Sequence, residues 1–315
     1  MPTSANNGVI TREQLVWVDN VVKTPKTQEL TALTMFKTFQ VPAWTPEVRY
    51  KVMTTSGQAA PYVEGATDIP VVDENMTEYR ANLTDLAIAV RYSRQQIGEA
   101  HQAGVDVLTP MAARARRALA EAENKLIFNG NHSSNPNLNI WGLTDSADKL
   151  GVQTATAPVA FDDLGEDTDK NLQIRNWFKA ALSQITHLAG YSTAKPILAL
   201  PQASIDALDT PFNQYNPQMT VLQMIRPWFS DIKVVPEFEH QYFGVKGNKQ
   251  DMGYIFLNTE DIVKIPVAQP VTQLQSETHN GFTTIPYVER MGGLVMYYPH
   301  AFVQLKGIND PKKVK

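Results

Sequence analysis

His101, His132, His187, His240, His279 and His300 are the six histidines of the chain, and none opens an HExxH pair or sits at metal-ligand spacing from another. Isolated histidines are ordinarily structural, and His187, beside Ile185 and Leu188, falls at the edge of an apolar helix face. The acidic run Asp162, Asp163, Glu166, Asp167 and Asp169 could gather a divalent cation. It lacks the spacing of a calcium loop and reads more simply as a solvated turn. Glu121 and Glu123 stand two apart in a helical stretch, so they do not face each other as a carboxylate pair. No GxGxxG, GxxxxGK[ST] or GxSxG occurs. Met291-Gly292-Gly293 has too few glycines to cradle a phosphate and suggests a bend or bulge between two strands. The absence of cysteine excludes disulfides, thiolate metal sites, iron–sulfur clusters and cysteine nucleophiles. No catalytic, cofactor or metal site is expected. The one enzymatic alternative is a metal-dependent α/β enzyme working through the 162–169 carboxylates. Arg114, Arg116 and Arg117 form a basic cluster, but with Glu121 nearby they read equally as exposed helix pairs.

The composition frames this empty search. A chain of 315 residues has room for two domains or one large one, and 43% hydrophobic residues with 19% charged ones is an ordinary globular balance. Disordered, collagen-like and coiled-coil classes are excluded. The net charge of −4 does not demand nucleic acid, although a local patch such as Lys312, Lys313 and Lys315 could touch a polyanion. The N-terminal stretch lacks the basic and apolar regions of a secretory signal. No apolar run reaches the length of a membrane span. A cytosolic setting is expected.

The elements that position these residues are legible in outline. Thr11 and Gln14 have capping-box spacing ahead of a short helix over 12–22. Residues 24–47, punctuated by Pro25, Pro42 and Pro46, read as an extended arm. Val48, Tyr50 and Val52 alternate with charged residues, and Tyr79, Leu83, Leu86, Ile88 and Val90 return to alternation over 76–93. These are two long strands joined by the Gly- and Pro-rich stretch 55–75. A hairpin of that size cannot cover its own apolar positions, Val63, Ile69 and Val71 among them. Ser93 and Gln96 form a second capping box. Thr109 and Pro110 open a long helix closed by Asn129-Gly130. Its apolar stripe is Ala115, Ala118, Leu119, Ala122 and Leu126, with Arg114, Arg117, Glu121 and Lys125 mostly off it. Helix and strand signals alternate from 171 to 260, and strands dominate from 261 onward.

Residues 115–145, ARRALAEAENKLIFNGNHSSNPNLNIWGLTD, combine an Ala/Glu helix, an aromatic–Asn–Gly end, a short variable loop and a Gly–Leu–Thr close. This segment resembles the corresponding part of tailed-phage major capsid proteins and of encapsulin shell proteins, and the order of elements agrees over nearly the whole chain. The resemblance implies an α+β Hong Kong 97 phage-type capsid fold. Its parts would be an N-terminal arm (1–46), an extended loop (47–92), a peripheral domain (93–169 and 261–307) with a spine helix (109–129), an axial α/β domain (170–260) and a flexible tail (308–315). It further implies a subunit that self-assembles, without cofactor or active site, into an icosahedral shell. Inside would be phage DNA, held by non-specific contact, or, in the encapsulin alternative, a cargo protein. Further partners would be scaffold, portal or decoration proteins. The place would be the virion capsid, assembled in the host bacterial cytoplasm. Only about 45 residues precede the extended loop, which is short for an N-terminal scaffolding domain. No Lys–Asn crosslinking motif can be aligned. The subunit-interface candidates are Val48, Tyr50, Val52, Tyr62, Val63, Ile69, Val71 and Tyr79 on the extended loop, and Arg114, Arg117 and Glu121 on the spine.

Overall fold

The computed structural model describes residues 29–56, 73–103, 108–131, 139–215, 218–239 and 251–309. The helix expected at 12–22, the loop residues Tyr62, Val63, Ile69 and Val71, and the terminal lysines lie outside the described residues.

The alternating segments pair as strands. β1 (Thr38–Gln40), β2 (Glu47–Ser56) and β3 (Asp73–Ser93) belong to one sheet, together with β8 (Val263–Gln273) and β10 (Phe282–Gly292), in the order β1-β8-β10-β3-β2. Two short strands, β9 (Glu277–His279) and β11 (Val295–Met296), pair with β10 and β8. A second sheet has the order β4-β12-β7-β5-β6, from β4 (Gln153–Thr156), β5 (Ile197–Leu200), β6 (Asp231–Val234), β7 (Gly253–Phe256) and β12 (Phe302–Lys306). The chain's late strands therefore divide between the two sheets. β12 pairs with β7 and β4, beside strands expected to be axial, rather than with β8 and β10.

Helices cover these sheets. α2 (Arg94–Ala103) opens with the expected capping box: Gln96 N donates to Ser93 Oγ, and Ser93 N donates to Gln96 Oε1, both at 3.1 Å. α3 (Leu108–Asn129) is the long helix. α4 (Ala147–Leu150) is a single turn. α5 (Thr168–Thr186), α6 (Gln202–Leu208) and α7 (Val221–Ile225) accompany the second sheet. Asp167 caps α5 by accepting from Asp169 N and Lys170 N, which gives one of the acidic-loop carboxylates a structural task. The main core joins Ile174, Phe178, Ala181 and Ile185 of α5 to Leu198, Tyr254, Phe256, Phe302 and Val303 of the second sheet.

The arm is more firmly packed than its prolines suggest. The one-turn helix α1 (Ala32–Met35) buries Ala32 and Met35, and the ring of Phe36 beside it packs at a tilt against Phe256, 5.4 Å between centroids. β1 then runs parallel to β8. A four-residue helix has too few turns to show apolar periodicity, so the sequence gives no sign of it.

Candidate functional site, a projecting hairpin and a buried helix

β3 has 21 residues and serves two partners in succession. Leu83 to Ser93 pair with β10 inside the sheet, whereas Asp73 to Asn82 pair only with β2. The ten β2–β3 pairs carry the hairpin about 33 Å beyond the sheet at the usual rise per residue. Beyond its root this stretch is largely exposed. Met53 and Met76 stand opposite each other at 51% and 55% exposure, and Tyr79 is 47% exposed. The two methionines share their face with a charge cluster, where Arg49 meets Glu47 and, diagonally across the strands, Glu78; Tyr79 lies on the other face with Tyr50.

At its root the hairpin is held by aromatics. Tyr50 stacks on its cross-strand partner Tyr79 at 5.5 Å and meets Tyr297 edge-on at 5.2 Å, while its hydroxyl donates to Met296 O at 3.3 Å. Burial pushes the Tyr50 phenol up to about 12, with smaller contributions from Tyr79 and Tyr297. A groove of about 430 Å³ opens here, lined by Tyr50, Tyr79, Trp141, Lys149, Met296 and Tyr297 among others. Val48 and Val52 lie half-buried on the same strand.

α3 packs one face on the sheet. Ala115 and Leu119 contact Tyr287, and Leu86, Ile88, Val90 and Ile285 complete that cluster. The outer face carries Arg114, which is exposed, and an Arg117–Glu121 pair with Nε donating to Oε1 at 2.8 Å. The spacing that makes Ala115 and Leu119 buried is what leaves these charges outside.

The end of α3 accounts for the Phe–Asn–Gly and Gly–Leu–Thr segments. Gly130 takes the left-handed conformation (φ 66°), and Gly130 N donates to Leu126 O. The chain then returns over the helix end: Leu143 N donates to Ile127 O, and both Thr144 N and Thr144 Oγ1 donate to Phe128 O. Helix carbonyls that would lack partners are thus satisfied by the loop's close. Gly130 and Gly142 lie backbone to backbone, so a side chain on either would strike the other segment. The close is tied to the second sheet by Tyr254, whose hydroxyl donates to Leu143 O, and by Gln304, whose Nε2 donates to Asp145 O at 2.9 Å.

Two buried polar contacts on α3 were not legible in the sequence. Asn124 Oδ1 accepts from Ala32 N at 3.0 Å, and Asn124 Nδ2 donates to Glu237 Oε1 at 2.6 Å. Glu237 Oε2 accepts from Thr31 Oγ1 at 2.8 Å. The neighbouring Glu123 faces Glu289 of β10, and burial together with Glu123 pushes the Glu289 carboxyl up to about 9. Glu123 does not pair with Glu121, as expected, but its partner comes from a strand near the other end of the chain. Among the described residues no group of three or more His, Asp or Glu side chains is placed to hold a metal ion. No helix among them is long and apolar enough to cross a membrane.

The structure brings Val48, Tyr50, Val52 and Tyr79 together on the hairpin and places Arg114, Arg117 and Glu121 on the outer face of α3. Within one subunit the two groups remain separate surfaces. Solved structures share this fold. The capsid of Myoviridae phage XM1 is similar with a TM-score of 0.74 at 12% identity, over 96% of this chain and 100% of that one. The capsid of a native GTA particle gives 0.68 at 12% identity, over 97% and 100%. A virus-like particle from Pyrococcus furiosus gives 0.56 at 14% identity, over 87% and 92%. No curated protein sequence matches. The α+β fold is the Hong Kong 97 phage-type capsid fold. The model of the major capsid protein family matches residues 57–308, and with four-fifths of its length so covered the chain belongs to the phage major capsid protein family.

Proposed function

We propose that the hairpin β2–β3 is the main inter-subunit connector of the shell and that it lies across the spine helix of a neighbouring copy. The observation that supports this is the ten-pair ladder that leaves the sheet with Met53 and Met76 exposed on one face and Tyr79 half-exposed on the other. An apolar surface on a projecting hairpin is costly for an isolated subunit and productive when another copy covers it. The interface residues would be Val48, Tyr50, Val52, Tyr62, Val63, Ile69, Val71 and Tyr79, meeting Arg114, Arg117 and Glu121 of the neighbour. The arm, extended loop, peripheral, axial and tail divisions expected from the sequence are part of this reading, with β4 and β12 reassigned to the axial sheet that they join.

The role is structural rather than catalytic. The shell encloses double-stranded DNA, contacted non-specifically, and assembly takes place in the host cytoplasm with scaffold, portal or decoration proteins as further partners. Summed over many copies, weak lysine–phosphate contacts suffice for the DNA. The likeness to the Pyrococcus virus-like particle supports a second reading, an encapsulin-type shell around a protein cargo. The test is electron microscopy and content analysis of the full-length protein after size-exclusion chromatography. Closed polyhedral particles containing nucleic acid are expected. A defined protein cargo without nucleic acid would favour the second reading, and a tube or trimer would contradict both. Deleting residues 55–75 should leave a soluble, folded subunit and abolish closed particles. Normal shells from that variant would overturn the connector role.

A further inference from the structure

Glu123 and Glu289 are 5% and 6% exposed, and both lie in the apolar seam between α3 and the first sheet. Glu289 follows Tyr287 and Ile285 on the sheet face that meets the helix, and Leu86 is its register partner on β3. On α3, Glu123 follows Ala115 and Leu119 at four-residue spacing. The register of β10 with β8 is irregular at this point. It shifts between Val288 and Arg290, next to Pro270, and leaves Glu289 without a β8 partner. Glu289 Oε2 is buried with no hydrogen-bond partner among the described residues.

Among the described residues no positive charge is placed to face the two carboxyls. On β10, Arg290 alternates to the opposite sheet face, its Nε 3.6 Å from Asp85 of β3. Arg91 of β3 lies over the Phe282 ring at 4.2 Å. On β8 the nearest register partners are Thr272 and Gln269, and Lys264 pairs with Glu260. On α3, Arg117 pairs with Glu121, while Arg114, Arg116 and Lys125 are exposed. Tyr287 shares the face. Two carboxylates at such a place cannot both stay ionised without a large desolvation and repulsion cost, so the pair must hold a proton between them.

We propose that Glu123 and Glu289 share one proton at neutral pH, one carboxyl donating to the other, and that this proton fastens the spine helix to β10. When alkali removes it, two buried carboxylates face each other and the seam loosens. The subunit thus carries an alkali-sensitive fastening at the joint between its long helix and the strand beside the projecting hairpin.

The experiment is infrared spectroscopy of the full-length protein from pH 5 to pH 10, with thermal melting over the same range, for wild type, Glu289→Gln and Glu123→Gln. A protonated-carboxyl C=O band present at pH 7, lost on alkalinisation, missing from Glu289→Gln and titrating at lower pH in Glu123→Gln is the expected result. Wild type should also lose several °C more of its melting temperature between pH 6 and pH 10 than either glutamine variant. Absence of the band at pH 7, or variants whose melting profile parallels wild type, would overturn the proposal. If one variant does not fold, the other together with the wild-type band titration decides the matter.

Discussion

Asn124 Nδ2 donates to Glu237 Oε1 at 2.6 Å, joining the long helix to the turn after β6, while the same side chain's Oδ1 accepts from Ala32 N in the arm. Three separate parts of the chain meet at one asparagine. Asn124→Ala deprives Ala32 N of its acceptor and Glu237 of a donor, both in buried surroundings. The expected cost is roughly 2–4 kcal/mol, and urea unfolding monitored by tryptophan fluorescence measures it. An unchanged unfolding midpoint would mean that this contact contributes nothing.

Gly130→Ala should be among the most damaging small substitutions in the protein. The left-handed φ of 66° strains any other L residue, and the new methyl group would strike the Ile140 carbonyl where the loop returns over the helix. A loss of several kcal/mol, on the order of 3 or more, is expected from a steric conflict with backbone. By contrast, Gly98→Ala meets no atom nearby and lies in a helix, so it should be neutral or slightly stabilising. Thermal melts of the two variants make the comparison.

The hairpin root has its own pH signature. Tyr50 in the folded chain ionises near 12, above the ordinary tyrosine value of 10.0. Between those two values the folded state keeps a proton that the unfolded state has released. Stability from this group is therefore complete below pH 10 and is lost as pH rises toward 12. Tyr50→Phe should flatten that part of the decline. Denaturant midpoints at pH 9 through 12 test it, and equal slopes for variant and wild type would contradict the assignment.

How much of this could be read beforehand depends on whether the cause was local. The Ser93–Gln96 capping box, the alternation of Val48, Tyr50 and Val52, and the Ala115–Leu119–Leu126 stripe are set by neighbours in sequence, and each stands where the spacing puts it. The Gly–Leu–Thr close was visible as a motif, but its purpose, capping the carbonyls of Ile127 and Phe128, needed the chain's return path. Glu123 was the clearest miss. Nothing near it in sequence announces Glu289, and a carboxylate inside an Ala/Glu helix ordinarily faces water. Its position four residues after Leu119 was the one available clue. The arm was misjudged for a similar reason, because Ala32, Met35 and Phe36 find their partners in distant strands.

The central claim is that the projecting hairpin of one copy lies on the long helix of another. The most direct measurement uses the absence of cysteine in the chain. Met76→Cys supplies the only thiol, at an exposed hairpin position, and can carry a benzophenone photocrosslinker. Particles are assembled from a mixture of this labelled subunit and a heavy-isotope wild type, irradiated, digested and analysed by mass spectrometry. Crosslinks joining Cys-bearing hairpin peptides to heavy-isotope peptides of 108–129 are expected. Crosslinks confined to peptides of the same copy, or to other surfaces of the neighbour, would contradict the account.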